Sequence, residues 1–138
     1  YTDPATIEKL IRPVIVEPLL ERWEAEKEVL TTLMARADIR GSRRGESAAQ
    51  KGARTRAYEQ AQERFALFLE GLRNFTVLDP ACGSGNFLFM ALRALKDVEQ
   101  RVMVEAEELG MPRQVPAVGP HQVRGIELNE YAAELARI

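Results

Sequence analysis

The segment from Asp79 to Leu88 reads Asp-Pro-Ala-Cys-Gly-Ser-Gly-Asn-Phe-Leu and carries the strongest chemical signal in the chain. Gly83 and Gly85 would let the backbone approach a ligand without a Cβ in the way. A helix predicted directly after them would offer free backbone N–H groups in its first turn. Asp79, at the end of a predicted strand, can accept hydrogen bonds from a cationic or amino-bearing ligand. These residues predict a small-molecule site at a strand-to-helix turn.

Three other glycine motifs do not fit this segment. A phosphate-binding P-loop ends in Gly-Lys-Ser/Thr, whereas Asn86 follows Gly85 here. The dinucleotide fingerprint requires a third glycine at the position that Leu88 occupies. A nucleophile elbow requires Gly-x-Ser-x-Gly, and the order Gly83-Ser84-Gly85 differs from it. On the glycines alone, a tight turn that binds nothing remains an alternative.

The elements that would position this turn alternate between strand and helix. Residues 75–78 are a short apolar run typical of a buried strand. Residues 86–109 have a helical apolar pattern that ends at Gly110, a suitable C-cap. A proline-rich loop over 111–121 leads to a second strand, 123–128, and then to another helix. This order predicts an α/β fold that opens a doubly wound parallel sheet with a βαβα unit.

The first 73 residues predict a helical layer in front of that sheet. Asp3 and Pro4 are typical of a helix start, as N-cap and first helical residue, and apolar residues follow at helical spacing. Pro13 predicts a kink or break in this helix, and Pro18 predicts the opening of the next one.

Residues 18–73 predict a pair of helices joined by a loop. Residues 38–53 lack apolar periodicity and are rich in Gly, Ser and Arg, so we expect a mobile loop there. The second helix of the pair has one apolar stripe: Tyr58, Ala61, Phe65, Phe68 and Leu72. The predicted organisation is a helical region, 1–73, followed by the start of the α/β domain, 74–138.

Composition restricts the class of protein. The 138 residues are 46% hydrophobic and 29% charged, which is enough apolar material for a hydrophobic core. The net charge of -2 does not indicate general binding of polyanions. A single cysteine, Cys82, excludes an internal disulfide framework and favours a cytoplasmic location. No signal peptide or membrane span is predicted. The chain begins with Tyr1 and ends at Ile138 inside a predicted helix, so we expect it to be part of something longer.

Asp79 to Leu88 resembles motif I of the S-adenosylmethionine-dependent amino-methyltransferases, and most closely that of adenine-N6 DNA methyltransferases from restriction-modification and phage-defence systems. The resemblance implies a Rossmann-like sheet and S-adenosyl-L-methionine as cofactor. In that family the acidic residue and the turn hold the methionine part of the cofactor, and the turn's glycines lie under ribose and methionine.

Two further segments support the resemblance. Glu127 ends the second predicted strand, where the family's acidic residue binds the ribose hydroxyls, and Leu128 would then touch the adenine. Tyr1-Thr2-Asp3-Pro4 resembles motif X, usually Tyr-Thr-Pro, although Asp3 is inserted here. A solvated carboxylate and a plain helix cap are the alternatives for these two segments. Motif X ahead of motif I matches the γ order of motifs, in which the cofactor motifs precede the catalytic one. The cofactor-binding residues implied are Tyr1, Thr2, Asp79, Pro80, Ala81, Cys82, Gly83, Gly85, Asn86, Phe87, Glu127 and Leu128.

The family's catalytic motif, Asn/Asp-Pro-Pro-Tyr/Phe, does not occur in these 138 residues. Its polar groups hold the target amine, and its aromatic ring stacks on a base flipped out of the duplex. The resemblance therefore implies no catalytic residue in this chain, and double-stranded DNA as a partner only through a parent protein. One histidine and one cysteine cannot form a typical structural zinc site, so no metal is expected. We expect the chain alone to be inactive. Its incomplete sheet also predicts dimerisation or an exchange of elements between copies.

Two alternative functions remain open, and so does the role of one basic segment. An RNA guanine-N2 methyltransferase can share the start of motif I but usually continues with Thr where Asn86 stands. A non-catalytic cofactor-binding or interaction module is the other alternative. Residues 36–56 hold seven basic residues against two acidic ones, which predicts either a solvated mobile loop or a contact with DNA phosphates.

Overall fold

The computed structural model describes residues 3–37, 44–79, 86–125 and 137. Four α-helices and two short strands make up these residues. In chain order they are α1 (Pro4–Ile11), a π-helical turn (Arg12–Val16), α2 (Glu17–Ala37), α3 (Ala48–Asn74), β1 (Val77–Asp79), α4 (Asn86–Glu108), a 3-10 turn (Pro120–Gln122) and β2 (Val123–Gly125).

The first helix begins as predicted, but Pro13 does not end it. Asp3 occupies the N-cap position, and Pro4 is the first helical residue. The helix then continues through one π-turn, in which the backbone N–H of Glu17 donates to the carbonyl of Arg12, five residues earlier. A kink or break was predicted at Pro13; the helix is not broken there but is locally widened into the π-turn. The wider π-turn accommodates a residue that has no N–H to donate, and α2 begins one residue before Pro18.

The π-turn keeps one apolar face continuous along the whole segment. Five buried residues follow one another in steps of four: Ile7, Ile11, Ile15, Leu19 and Trp23. In a straight α-helix each step of four overshoots a full turn by about 40°, so the last residue would lie about 160° from the first. A turn with more residues per revolution takes up this drift, and all five side chains reach the same core.

The predicted helix pair is present and is built on an aromatic cluster. Trp23 of α2 is fully buried, with its ring centroid 6.2 Å from that of Phe65 and 5.2 Å from that of Phe68, both on α3. At the surface Arg64 binds both carboxylate oxygens of Glu26, at 2.7 and 3.0 Å. Trp23 therefore belongs to the hydrophobic core.

The predicted loop over 38–53 is too long. Helix α3 begins at Ala48, so residues 48–53 are helical, while 38–43 lie outside the described residues. A capping box starts the helix: the Ser47 hydroxyl accepts from the backbone N–H of Gln50, and the Gln50 side chain accepts from the backbone N–H of Ser47. This first turn buries no apolar face, which is why apolar periodicity gives no sign of it.

The two strands pair in parallel, as the predicted βαβ order requires. Val77 lies opposite Val123 and Asp79 opposite Gly125. The first strand was predicted at 75–78 but occupies Val77–Asp79, because Phe75 is the C-cap of α3. The described part of the chain is thus mostly helical with a two-stranded parallel sheet, consistent with an incomplete methyltransferase fold.

Helix α4, which connects the strands, ends at Gly110 as predicted. Gly110 has a φ of 95°, and its N–H donates to the carbonyl of Glu107 at 2.9 Å. The N–H of Met111 donates to the carbonyl of Ala106 at 3.0 Å, which completes a Schellman motif. A Cβ at Gly110 would lie 3.2 Å from the Met34 side chain, so both the backbone angle and the packing favour glycine.

Two buried polar side chains secure the connection from α4 to β2. The Glu99 carboxylate accepts from the backbone N–H groups of Ala117 and Val118, each at 3.1 Å. It also lies 3.6 Å from the Nε of Arg73 on α3.

Gln122, just before β2, joins the same loop to the end of α3. Its side-chain amide donates to the carbonyls of Leu72 and Phe75, at 2.9 and 3.0 Å. Its Oε1 accepts from the N–H of Gly119 at 3.2 Å. Because Gln122 is only 1% exposed, water cannot readily replace the hydrogen bonds of its side chain.

A single hydrophobic core connects the helical layer with the strands. It runs from α1 through Trp23 and α3 to Val77 and the inner face of α4. In the part of the chain that the structure describes, no helix is both long and apolar enough to cross a bilayer.

The aromatic cluster and its neighbours should dominate the stability of the helix pair. Leu69 is 2% exposed and Leu67 on the same helix is 60% exposed. Leu69→Ala should lower the free energy of unfolding by about 3 kcal/mol through lost burial and a residual cavity. Leu67→Ala should change it by less than about 0.5 kcal/mol. Urea denaturation followed by circular dichroism measures both, and similar losses would contradict the packing described.

Gln122 should contribute more to the free energy of unfolding than an exposed glutamine does. Gln122→Ala removes three hydrogen bonds and leaves the Phe75 carbonyl and the Gly119 N–H without this partner, while the Leu72 carbonyl keeps the N–H of Phe75. The loss should cost about 2 kcal/mol of unfolding free energy. Gln100→Ala, at an exposed position of α4, is the matched control and should change it little. Equal stabilities of the two variants in urea denaturation would refute the role assigned to Gln122.

Candidate functional site

The parallel pairing places the carboxyl ends of both strands at one edge of the sheet. Asp79, the last residue of β1, lies beside Gly125, the last residue of β2. Asp79 is half-buried at this edge. Ligands of parallel α/β sheets bind outside such an edge, which agrees with the location predicted from the glycine turn.

Helix α4 starts from the same edge. Its first residues, Asn86 and Phe87, are half-buried, and six residues of chain separate them from Asp79. The backbone N–H groups of this first helical turn have no partners within the helix. A carboxylate acceptor and a set of N–H donors thus flank the turn. This combination suits a ligand that carries both an amino group and an acidic or hydroxyl group.

Helix α1 runs beside α4 and in the same direction. Glu24 and Lys27 of α2 pair with Arg101 and Glu105 in the second half of α4, in that order. Helix α1 lies about 20–30 Å earlier along the same continuous helix, and it also contacts α4. Only a parallel arrangement allows this, because an antiparallel one would carry α1 beyond the end of α4. The start of α1, at Asp3, is therefore directed toward the end of α4 that begins at Asn86.

A groove of about 490 Å³ separates these two helices. Its walls combine apolar and charged side chains: Glu8, Ile11, Arg12, Val16 and Leu20 on one side, and Met90, Arg93, Ala94, Asp97, Val98 and Arg101 on the other. Phe89, near the start of α4, is 64% exposed. The glycine-turn end of α4 therefore exposes one aromatic side chain.

Charge pairing at the far end of α4 fixes this arrangement. Lys27 donates a 2.6 Å hydrogen bond to Glu105, and Arg101 donates a second one at 2.9 Å. Chiefly because of the hydrogen bond from Lys27, the pKa of Glu105 is lowered below its ordinary 4.5. The same bond raises the pKa of Lys27. The pair therefore stays charged near neutral pH and holds α2 against α4.

The predicted site residues fall into two groups. The structure places Asp79, Asn86 and Phe87 around one strand-to-helix turn at the sheet edge. The others lie outside the described residues: Tyr1, Thr2, Pro80, Ala81, Cys82, Gly83, Gly85, Glu127 and Leu128. Their assignment to the site remains a prediction. Gly125, two residues before Glu127 in sequence, lies at the same edge as Asp79.

Sequence reasoning missed two residues that position β2 in the sheet. Glu99 and Gln122 bind the loop that leads into β2, and so help to set the register of β2 against β1. Neither belongs to a recognisable motif. The only local sign for Glu99 is its place next to Val98, on the apolar side of α4.

Comparison with known proteins identifies related sequences of known class. DNA methyltransferase A of Bacillus subtilis (strain 168) is 39% identical over 61 residues, which cover 44% of this chain and 7% of the relative. A putative type II restriction enzyme and methyltransferase of Methanocaldococcus jannaschii is 31% identical over 72 residues, which cover 51% of this chain and 6% of the relative. The chain thus spans a small part of both relatives. No solved structure matches it.

A family profile gives the broadest match. The profile of the MmeI DNA-methyltransferase domain matches residues 55–138, which is more than half of the chain. The match includes most of α3, both strands, α4 and the glycine turn between Asp79 and Asn86. The resemblance to restriction-modification DNA methyltransferases is thereby confirmed: the chain belongs to the family of the MmeI DNA-methyltransferase domain.

Proposed function

We propose that this chain is the S-adenosyl-L-methionine-binding portion of a site-specific DNA methyltransferase that acts on adenine N6. The observation that carries the proposal is the turn between Asp79 and Asn86, which joins a parallel strand to the helix that crosses over to its neighbour. Its sequence resembles motif I, and the family match supports the methyltransferase class. A Rossmann-like sheet, completed by the parent protein, is part of the proposal.

The proposed roles follow the edge of the sheet. Asp79 accepts hydrogen bonds from the amino group of the cofactor's methionine part, and the turn at 80–85 lies beneath methionine and ribose. Glu127 accepts hydrogen bonds from the two ribose hydroxyls, and Leu128 contacts the adenine. The parallel course of α1 and α4 supports a place for Tyr1 and Thr2 near the methionine carboxylate.

The cofactor supplies the methyl group that the adenine amine attacks in line. The chain's own part is to bind and orient this donor, so that the reacting atoms meet in a favourable geometry. The residues that hold the target amine belong to an Asn-Pro-Pro-Tyr-type motif of the parent protein. We also propose residue 74 as the start of the cofactor-binding domain, although the core is continuous across it.

Calorimetric titration with S-adenosyl-L-methionine tests the site. The wild-type chain should bind one equivalent, and Asp79→Ala should weaken this affinity at least tenfold, because a charge-assisted hydrogen bond is lost. Glu127→Ala should have an effect of similar size.

Glu59→Ala and Glu63→Ala are the matched controls, since both residues are exposed on α3, away from the sheet edge. Both should bind like the wild type. If the folded wild-type chain shows no saturable heat, or if Asp79→Ala binds as tightly as Glu59→Ala, the proposed site is wrong.

The chain alone should not methylate DNA. Incubation with tritiated S-adenosyl-L-methionine and a mixture of duplex sequences should give no incorporation above background, because the groups that hold a flipped adenine are absent from its sequence. An active adenine methyltransferase in a parallel reaction shows that the DNA and cofactor are competent. Clear incorporation by the chain would contradict the assignment of roles.

A further inference from the structure

The far end of the helix pair carries a concentration of positive charge that the cofactor site does not use. We define the hairpin tip as Arg36 near the end of α2, Arg44 just before α3, and Arg54 and Arg56 in the first turns of α3. We propose that the hairpin tip binds the phosphate backbone of double-stranded DNA. The proposal rests on the proposed function only in taking DNA as the partner.

The arginines of the tip surround two adjoining recesses. One, of about 540 Å³, is lined by Arg36, Arg44 and Arg54, together with Glu46. The other, of about 400 Å³, is lined by Arg36, Arg54 and Arg56. Because Arg36 and Arg54 line both, the four side chains form one continuous basic surface. Guanidinium groups suit phosphate oxygens because they present several N–H donors in a planar array.

Among the described residues that line the two recesses, one carboxylate faces four arginines. Glu46 is the one carboxylate among the described residues that line the two recesses, and it already pairs with Arg54 at 2.6 Å. Arg36, Arg44 and Arg56 are exposed, which leaves three arginines for an external anion. The whole chain has a net charge of -2, so this positive surface belongs to an otherwise acidic molecule. Such segregation directs a polyanion to one place.

The tip is distant from the glycine turn. From Asn86 to Glu105 along α4, and from Lys27 to Arg36 along α2, the helices add up to roughly 40 Å. This exceeds one turn of B-DNA, about 34 Å. A phosphate contact there lies outside the target base and contributes affinity without reading sequence. Changes at the tip should therefore leave cofactor binding intact.

The salt dependence of DNA binding is the appropriate test. Fluorescence anisotropy of a labelled 24-base-pair duplex should show binding by the wild-type chain that falls roughly 40-fold between 50 and 200 mM NaCl, as expected for about three phosphate contacts. The variant with Arg36→Gln, Arg44→Gln and Arg56→Gln should lose this binding and its salt dependence. Arg22→Gln, Lys96→Gln and Arg113→Gln, exposed elsewhere, remove the same charge and should retain both.

Each outcome decides the proposal. No DNA binding by the wild type, or equal salt slopes in the two triple variants, would overturn it. Competition by polyglutamate as effective as that by DNA would also overturn it and indicate an acidic protein surface as the partner. Titration of both variants with S-adenosyl-L-methionine separates the two proposals. If the cofactor does not bind, the proposed function fails, but the effect of the tip substitutions on DNA binding is unchanged. Thermal melting of both variants confirms that each is folded.

Discussion

The described structure depends on the side chain of Gln122. Two strands of three residues cannot hold a parallel pairing by themselves, since each contributes few ladder bonds. The amide of Gln122 ties the entry of β2 to the carbonyls that end α3, and β1 begins two residues after Phe75. Both strands therefore start from one fixed point. Their carboxyl ends, and with them Asp79, come to the same edge as a consequence.

The helical layer does more than cover the sheet. Because α1 and α2 form one continuous helix, the ion pairs of Lys27 and Glu24 with α4 and the buried residues of α1 together align the two helices with α4. The start of α1, remote in sequence from the strands, is thereby directed toward the sheet edge proposed to bind the cofactor. The same rigidity extends past α4 as the hairpin that presents Arg36 and Arg56. One helix pair therefore connects the two surfaces proposed to bind different ligands.

Much of this architecture could be predicted because its signals are local. Asp3 with Pro4, and Gly110, mark helix ends through backbone chemistry that needs no partner elsewhere, and the stripe through Phe65 repeats within one helix. The start of α3 was missed because Ser47 and Gln50 form a cap without an apolar face.

Glu99 and Gln122 were not predictable for a different reason. Apart from Gly119, which bonds to Gln122, their partners are 18 to 50 residues away in sequence, and no local pattern reveals such pairs. The location of the candidate site followed from the strand, turn and helix order, and its class is supported by the family match. The roles of individual residues could be predicted only by resemblance to the family. A ligand contact depends on how segments distant in sequence meet at the sheet edge, and no local pattern shows that.

The π-turn at Arg12–Val16 shows that the buried face of this helix depends on the number of residues between buried positions as well as on their type. Without Pro13, the buried positions that now follow one another by fours would be spaced by 4, 3, 4 and 4 residues. That spacing keeps a stripe on one side of an ordinary α-helix. The helix is thus one residue longer than its inner face requires. The surplus residue is absorbed by a local widening rather than by a shift of everything that follows, so Trp23 and the hairpin beyond it keep their orientation.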